Sequence, residues 1–248
     1  MATVQHRSQE DLRDNYSTGR LVLQGFSIAA MLGFSTMLAF QLFRGLTGVR
    51  RALLLATFFA GGIAADFLSG MVHWTLDTWG TVDAPLIGPN LIRSFRVHHS
   101  DQTEITRHSF LRTAGTLGIP VIPVQIAALF IPGISPIAFA AKAFLAMLCG
   151  WTLVTNQAHK WAHMENPPAA ARFFQRIGLF LEPGAHHQHH IEPFTQSYSI
   201  TTGWTNSLLT KTQFFRRLER VIVKLTGAVP RMDDIGEAAA QEVLEKNL

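Results

Sequence analysis

The sequence predicts an all-α integral membrane protein built as a four-helix bundle, and three observations carry that prediction. Hydrophobic residues make up 48% of the 248 and charged residues only 15%, well under the roughly 25% of a soluble domain. Four apolar runs each approach the ~20 residues that a helix needs to cross a bilayer. The histidines, 11 in all, gather where those runs end rather than along their length.

Residues 1–20 form a polar tail without the short apolar core of a secretory signal peptide, so insertion is expected to rest on the first span. Leu21 to Phe43 is the cleanest of the four. Ala52 to Trp74 is apolar except for Asp66 and His73. Thr113 to Ile131 contains Pro120 and Pro123, which predict a kinked or only partly inserted third segment. Ile137 to Ala158 follows Pro132-Gly133 and Pro136 and pairs with it as a helical hairpin. The lone Cys149 lies in this last run and has no partner for an intramolecular disulfide.

After the spans come two basic amphipathic stretches. One has Phe173, Phe174, Ile177, Leu179 and Phe180 amid Arg172 and Arg176; the other runs from Phe214 to Ile222. Each reads equally as a helix in the headgroup plane or as one packed on the domain. Residues 21–232 are thus expected to form the membrane domain, and 233–248 an acidic, Ala-rich tail with a frayed helix.

The net charge is +4 and the isoelectric point about 9.6. No basic run or aromatic platform of the kind that binds nucleic acid accompanies that charge, so nucleic-acid binding is not expected. Grouping the N-terminus, residues 75–112 and everything after 158 on one side leaves only Arg44, Arg50 and Arg51 in the opposite loop. The positive-inside rule makes the larger side cytoplasmic. The same topology delivers every histidine cluster to that side, although nothing in four hydrophobic spans requires it.

Asp66, His73 and Asp77 come first, in ADFLSGMVHWTLDTW, with offsets of seven and four that place them on one helix face. Ionisable groups within a span are costly and usually functional. Arg96-Val97-His98-His99-Ser100-Asp101 follows, with His108 further on. Adjacent histidines diverge on a helix, so His98 and His99 suit two neighbouring metals, or one metal on irregular backbone. His159 and His163 stand at i, i+4, a helical spacing that presents two imidazoles to one centre. Last comes Ala185-His186-His187-Gln188-His189-His190, where His186, His189 and His190 make an H-x-x-H-H pattern and His187 is the spare, assigned to solvent or to a place behind the ligands. His6 lies in the polar tail, away from all of these.

Imidazole suits Fe, Zn, Cu and Ni alike, so the ligand count has to discriminate. A structural zinc takes four ligands and usually includes Cys. Eight histidines and a carboxylate suffice for two metals in a di-metal cap on the bundle. The E-x-x-H motif of carboxylate-bridged di-iron bundles is not placed on these helices.

These motifs resemble the Kua-type lipid desaturases, the family of the plasmanylethanolamine desaturases. The resemblance rests on ADFLSGMVHWTLDTWG, IRSFRVHHSDQTEITRHSF, TNQAHKWAH, HHQHHIEPFTQSYSITTGWTN and RRLERVIVKLTGAVPRMDD, in order over residues 64–234. Plant chloroplast phosphatidylglycerol desaturases are similar to the same motifs. Thr106 to Phe110 and Thr201 to Trp204 lean towards the plasmalogen-forming branch. His187 falls outside the family pattern, as does Ser199, where Cys is expected.

The resemblance implies a di-iron, O2-dependent desaturase that converts a 1-O-alkyl ether phospholipid to its vinyl ether. His73, His98, His99, His159, His163, His186, His189 and His190 would be iron ligands. Asp77 would be a ninth ligand or an orienter of an imidazole. Asp66 and His108 are further catalytic candidates, and Asp101 and Asn156 are expected to hydrogen-bond ligand histidines. Two electrons must come from outside, because the chain has no flavin or nicotinamide fingerprint and no Cys set for an iron–sulfur cluster. A cytochrome b5-like or ferredoxin-type donor is expected, an acidic one being drawn to the basic face. A phosphatidylglycerol acyl desaturase and a lipid hydroxylase share the histidine design. A His-rich metal transporter or sensor would instead need polar residues threaded through the membrane core.

Overall fold

The computed structural model of the chain describes residues 18–44 and 46–246, and among them all regular structure is helical. Most of the polar tail, with His6, lies outside the described residues; its last three residues already belong to the first helix. Helix α1 spans Thr18–Phe43 and α2 spans Gly48–Thr78. A π-turn at Gly88–Ile92 leads into α3, Arg93–Ser100, and a 3-10 turn at Glu104–Arg107 follows. Then come α4 (Phe110–Gly115), α5 (Gly118–Phe130) and α6 (Pro136–Ala162). Shorter helices complete the chain: α7 (Ala169–Arg176), α8 (Pro183–His187), α9 (Asn206–Lys211), α10 (Phe214–Thr226), α11 (Met232–Ile235) and α12 (Glu237–Glu245).

Among the described residues, three helices are long and apolar enough to cross a membrane: α1, α2 and α6. The expected third span differs. It is two pieces, α4 and α5, that meet at Thr116 and Leu117. The 13 residues of α5 reach roughly 20 Å at ~1.5 Å per residue, short of a ~30 Å hydrocarbon core. Pro123 is accommodated inside α5. Both pieces lean on α1: Ser27 donates to the Gly115 carbonyl at 2.8 Å, and Gln125 to the Met31 carbonyl at 3.0 Å.

Helix α2, with 31 residues, is roughly 46 Å long at that rise, so its last turns reach beyond the apolar core. The apolar run stops at Trp74 because Thr75, Asp77 and Thr78 follow, while the helical hydrogen bonding continues to Thr78. Helices α2 and α6 pack closely. A Cβ on Gly61 would stand 2.8 Å from both Met147 Cβ and the Leu148 amide nitrogen, so only glycine permits that approach.

At the histidine end, α9 and α10 dock on α2 through Trp74, Tyr198, Leu209 and Phe215. Glu219 is fully buried there and accepts from Trp74 Nε1 at 2.9 Å, with Arg216 and Arg231 completing its charge balance. Helix α10 therefore packs inward with Phe215, Arg216 and Glu219, while Val221 and Leu225 stay exposed. The expected tail boundary at 233 falls inside this docked region. Asp233 accepts from the Val82 amide at 3.0 Å, and α12 buries Ala240 and Leu244 rather than fraying. Acidic composition hid these anchors, because each is fixed by partners far away in the chain.

Candidate metal centre

The site assembles from four elements that end at one level. The last turns of α2 carry His73 and Asp77, and the last turn of α6 carries His159 with His163 as its cap. Helix α3 brings His98 and His99; α8 and the turns after it bring His186, His189 and His190. These residues form two groups, each with ligand atoms within 4.8 Å of one another. One group is His98, His159, His163, His186 and His190. The other is His73, Asp77, His99 and His189.

The adjacent pairs split. His98 joins the first group and His99 the second; His190 joins the first and His189 the second. The groups are neighbours, with the His73 and His159 ring centroids 5.8 Å apart. Two adjacent-histidine pairs thus tie the two clusters together through the backbone.

The donor geometry fits metal ions. In the first group the Nε2 atoms are 3.0 Å apart for His98–His159, 2.9 Å for His159–His186, 2.8 Å for His163–His186 and 3.1 Å for His186–His190. Two nitrogens each about 2.1 Å from one ion stand about 3.0 Å apart at a right angle and about 3.4 Å apart at a tetrahedral angle. Five donors at the shorter spacing do not match a closed tetrahedral zinc site. In the second group Asp77 Oδ2 lies 3.2, 3.3 and 3.4 Å from Nε2 of His73, His189 and His99. Those contacts lack hydrogen-bond geometry: both Asp77 oxygens and His73 Nε2 are buried without a hydrogen-bond partner. A buried carboxylate left so is costly, and a cation between these atoms removes the cost.

The ring nitrogens that face away show how the imidazoles are held. His73 Nδ1 meets the Tyr198 carbonyl at 3.0 Å, and His189 Nδ1 the Gln196 carbonyl at 2.9 Å. His99 Nδ1 lies 3.4 Å from Asp234 Oδ2. Such outer contacts fix the tautomer and the ring orientation of a metal ligand. Burial disfavours charge on His98 and His186 and holds both well below the usual imidazole range. His163 is lowered to about 4 by the same cause. His99 is pushed down by burial but pulled up further by Asp77 and Asp234, to about 9. The second group thus attracts positive charge, which an ion would supply.

The remaining sequence candidates stand elsewhere. Asp66 is fully buried, but its carboxylate accepts from the amides of Thr202, Gly203 and Thr205 at 2.8 to 2.9 Å and from the Thr205 hydroxyl at 2.7 Å. It anchors a loop and lies in neither group. Ser199, on that loop, packs on Gly70, where a Cβ would come within 2.5 Å of its Oγ. His108 pairs with Glu104 at 2.5 Å, outside both groups, and His187 is exposed. Asp101 binds Arg107 and Thr103, and Asn156 donates to the Thr113 carbonyl, so the expected contacts from these two to ligand histidines are not the bonds they make. Asp234 is the carboxylate that stands beside a ligand histidine, its Oδ2 3.4 Å from His99 Nδ1, and it also pairs with Arg96 at 2.5 Å. Its only sequence signal was its place at the end of the matching motif.

A lipid desaturase domain model matches residues 62–233. The chain is 40% identical over 241 residues to a plasmanylethanolamine desaturase of Myxococcus xanthus, covering 97% of this chain and 85% of that one. It is 37% identical to plasmanylethanolamine desaturase 1 of Mus musculus, covering 94% and 88%. Fatty acid desaturase 4, chloroplastic, of Arabidopsis thaliana is 31% identical, over 70% of this chain and 53% of its own. No solved structure matches the chain. With every member of both groups inside the matched stretch, the chain belongs to the lipid desaturase family, as a membrane oxidoreductase.

Proposed function

We propose that the chain is an O2-dependent, di-iron desaturase that converts a 1-O-alkyl phospholipid, plasmanylethanolamine, into its vinyl ether. The observation that carries this reading is the pair of adjoining donor groups, one of five imidazoles and one of three imidazoles with Asp77, in a chain that covers 85% and 88% of two relatives named for that reaction. In this reading the chain crosses the bilayer four times, the third time as the broken pair α4–α5, and the histidine end is cytoplasmic. The charge distribution supports that side.

Bound iron would supply the oxidising power to take one hydrogen from each of two neighbouring carbons, while O2 and two external electrons end as water. The chain's own residues prepare that event. His73, His189 and His99 are held in one orientation by the Tyr198 and Gln196 carbonyls and by Asp234. Asp77 provides the one carboxylate among the donors of the second group. Burial of both groups keeps bulk water away. An apolar groove of about 590 Å³, lined by Ile28, Leu32, Leu153, Val154 and Trp161, offers a hydrocarbon chain a place beside α6. A cytochrome b5-like or ferredoxin-type donor would meet the basic cytoplasmic face.

Expressing the chain in cells that lack vinyl ether lipids tests the reading. Acid-labile plasmalogens detected by mass spectrometry are the expected result. A hydroxylated alkyl chain would make it a hydroxylase, and a new double bond in an acyl chain would make it an acyl-lipid desaturase.

A further inference from the structure

Beside the five-histidine group lies a cavity of about 210 Å³, and His98 and His159 form part of its wall. Pockets for drug-sized ligands run to roughly 300–1,000 Å³, so this one suits a headgroup rather than a whole lipid. Its rim is cationic. Arg20 at the start of α1, Arg93 on α3 and Arg112 on α4 all line it, arriving from three separate elements. Among the described lining residues Glu104 is the one carboxylate, held by His108 at 2.5 Å.

We infer that this cavity binds the zwitterionic headgroup of the substrate lipid, with Arg20, Arg93 and Arg112 holding the phosphate and Glu104 receiving the ammonium. The inference rests on the ether-phospholipid reading above and deepens it. The bond to be oxidised begins at the first carbon of the alkyl chain. From there to phosphorus is six bonds, through the ether oxygen, the glycerol carbons and the ester oxygen. Six bonds of about 1.5 Å in a zigzag reach roughly 8 Å. A lipid oxidised at that carbon must therefore carry its phosphate close to the metals, and a cationic cavity that includes two of the metal-group histidines in its wall meets that demand. Guanidinium groups match phosphate oxygens in fork geometry. A carboxylate in the lining would favour a primary ammonium, with its N–H donors, over an uncharged glycerol headgroup.

Binding under nitrogen, where no turnover occurs, tests the assignment. Full-length protein in phosphatidylcholine nanodiscs is titrated with 1-O-alkyl-2-acyl-glycerophosphoethanolamine, its phosphoglycerol counterpart, and the phosphate-free 1-O-alkyl-2-acylglycerol. Arg93→Ala and Arg112→Ala are each expected to raise Kd for the phospholipids roughly ten- to hundred-fold, leaving that for the phosphate-free lipid and the bound metal unchanged. Glu104→Gln should narrow the preference for ethanolamine over phosphoglycerol. Should the alanine variants not fold, Arg93→Lys and Arg112→Lys keep the charge without the fork and are expected to weaken phospholipid binding about tenfold. Unchanged phospholipid affinity, or equal losses for the phosphate-free lipid, would overturn the inference. So would displacement of the lipid by inorganic phosphate at lower concentration than by O-phosphoethanolamine, which would mark a free-phosphate site. Arginine-dependent headgroup binding by a chain that makes no vinyl ether would leave this inference standing and remove only the reading above it. Vinyl ether formation indifferent to the arginines would do the reverse.

Discussion

The two donor groups lie side by side but differ in charge and in support. The first consists of five imidazoles and no carboxylate, and within it His186 Nδ1 and His190 Nδ1 are buried without partners. The second has three imidazoles with Asp77; His73 and His189 lean on backbone carbonyls, and His99 Nδ1, without a hydrogen-bond partner, faces Asp234 at 3.4 Å. An ion in the second group would be partly neutralised and held stiffly. One in the first would keep its full charge beside a cavity. The difference points to divided labour, with one position anchored and the other nearer the substrate.

Removing a donor from either group should have the largest effect. His163→Ala and His189→Ala are each expected to reduce lipid turnover to background and to lower bound metal, as read by elemental analysis of purified protein. Retained turnover in either would show the ligand set to be wrong. Asp77→Asn keeps the shape and removes the charge. It should leave about one metal per chain, because only the second group depends on the carboxylate; loss of both metals together would mean the groups act as one unit. Asp234→Asn removes support without removing a donor, and should weaken the second metal roughly ten- to hundred-fold in a chelator competition. Asp66→Asn should keep both metals but lower thermal stability by about 1–3 kcal/mol as the loop loses charge-assisted bonds. His187→Ala should change nothing measurable in turnover, and a loss there would bring an exposed residue into the site.

How much of this was legible in advance follows from range. Helical offsets of four join His73 to Asp77 and His159 to His163, and local periodicity suffices for that. The divergence of adjacent histidines is also local, which is why the split of His98 and His99 between two donor groups could be anticipated. Asp66 shows the limit. It lies on the expected face, but seven residues below His73 is roughly 10 Å along the helix, within reach of a loop and not of the donors. Asp234 was hidden for the opposite reason. Its acidic neighbours read as a tail with a frayed helix, and only the closure of residues 206–235 onto α2 brings it to His99. The break between α4 and α5 was signalled by prolines in the right region, yet it falls at Thr116-Leu117, where packing on α1 decides it.

Asp66 also bears on how the protein is made. Its partners lie 136 to 139 residues downstream, so α2 leaves the ribosome long before they exist. An aspartate at the centre of a span weakens its insertion by about 2.5–3.5 kcal/mol. The nascent second span is therefore a reluctant one, and becomes a settled resident of the bilayer only after the last loop has closed on it. Chains cut short before residue 202 would hold an uncompensated acid in the membrane, a mark by which quality control could tell unfinished copies from finished ones.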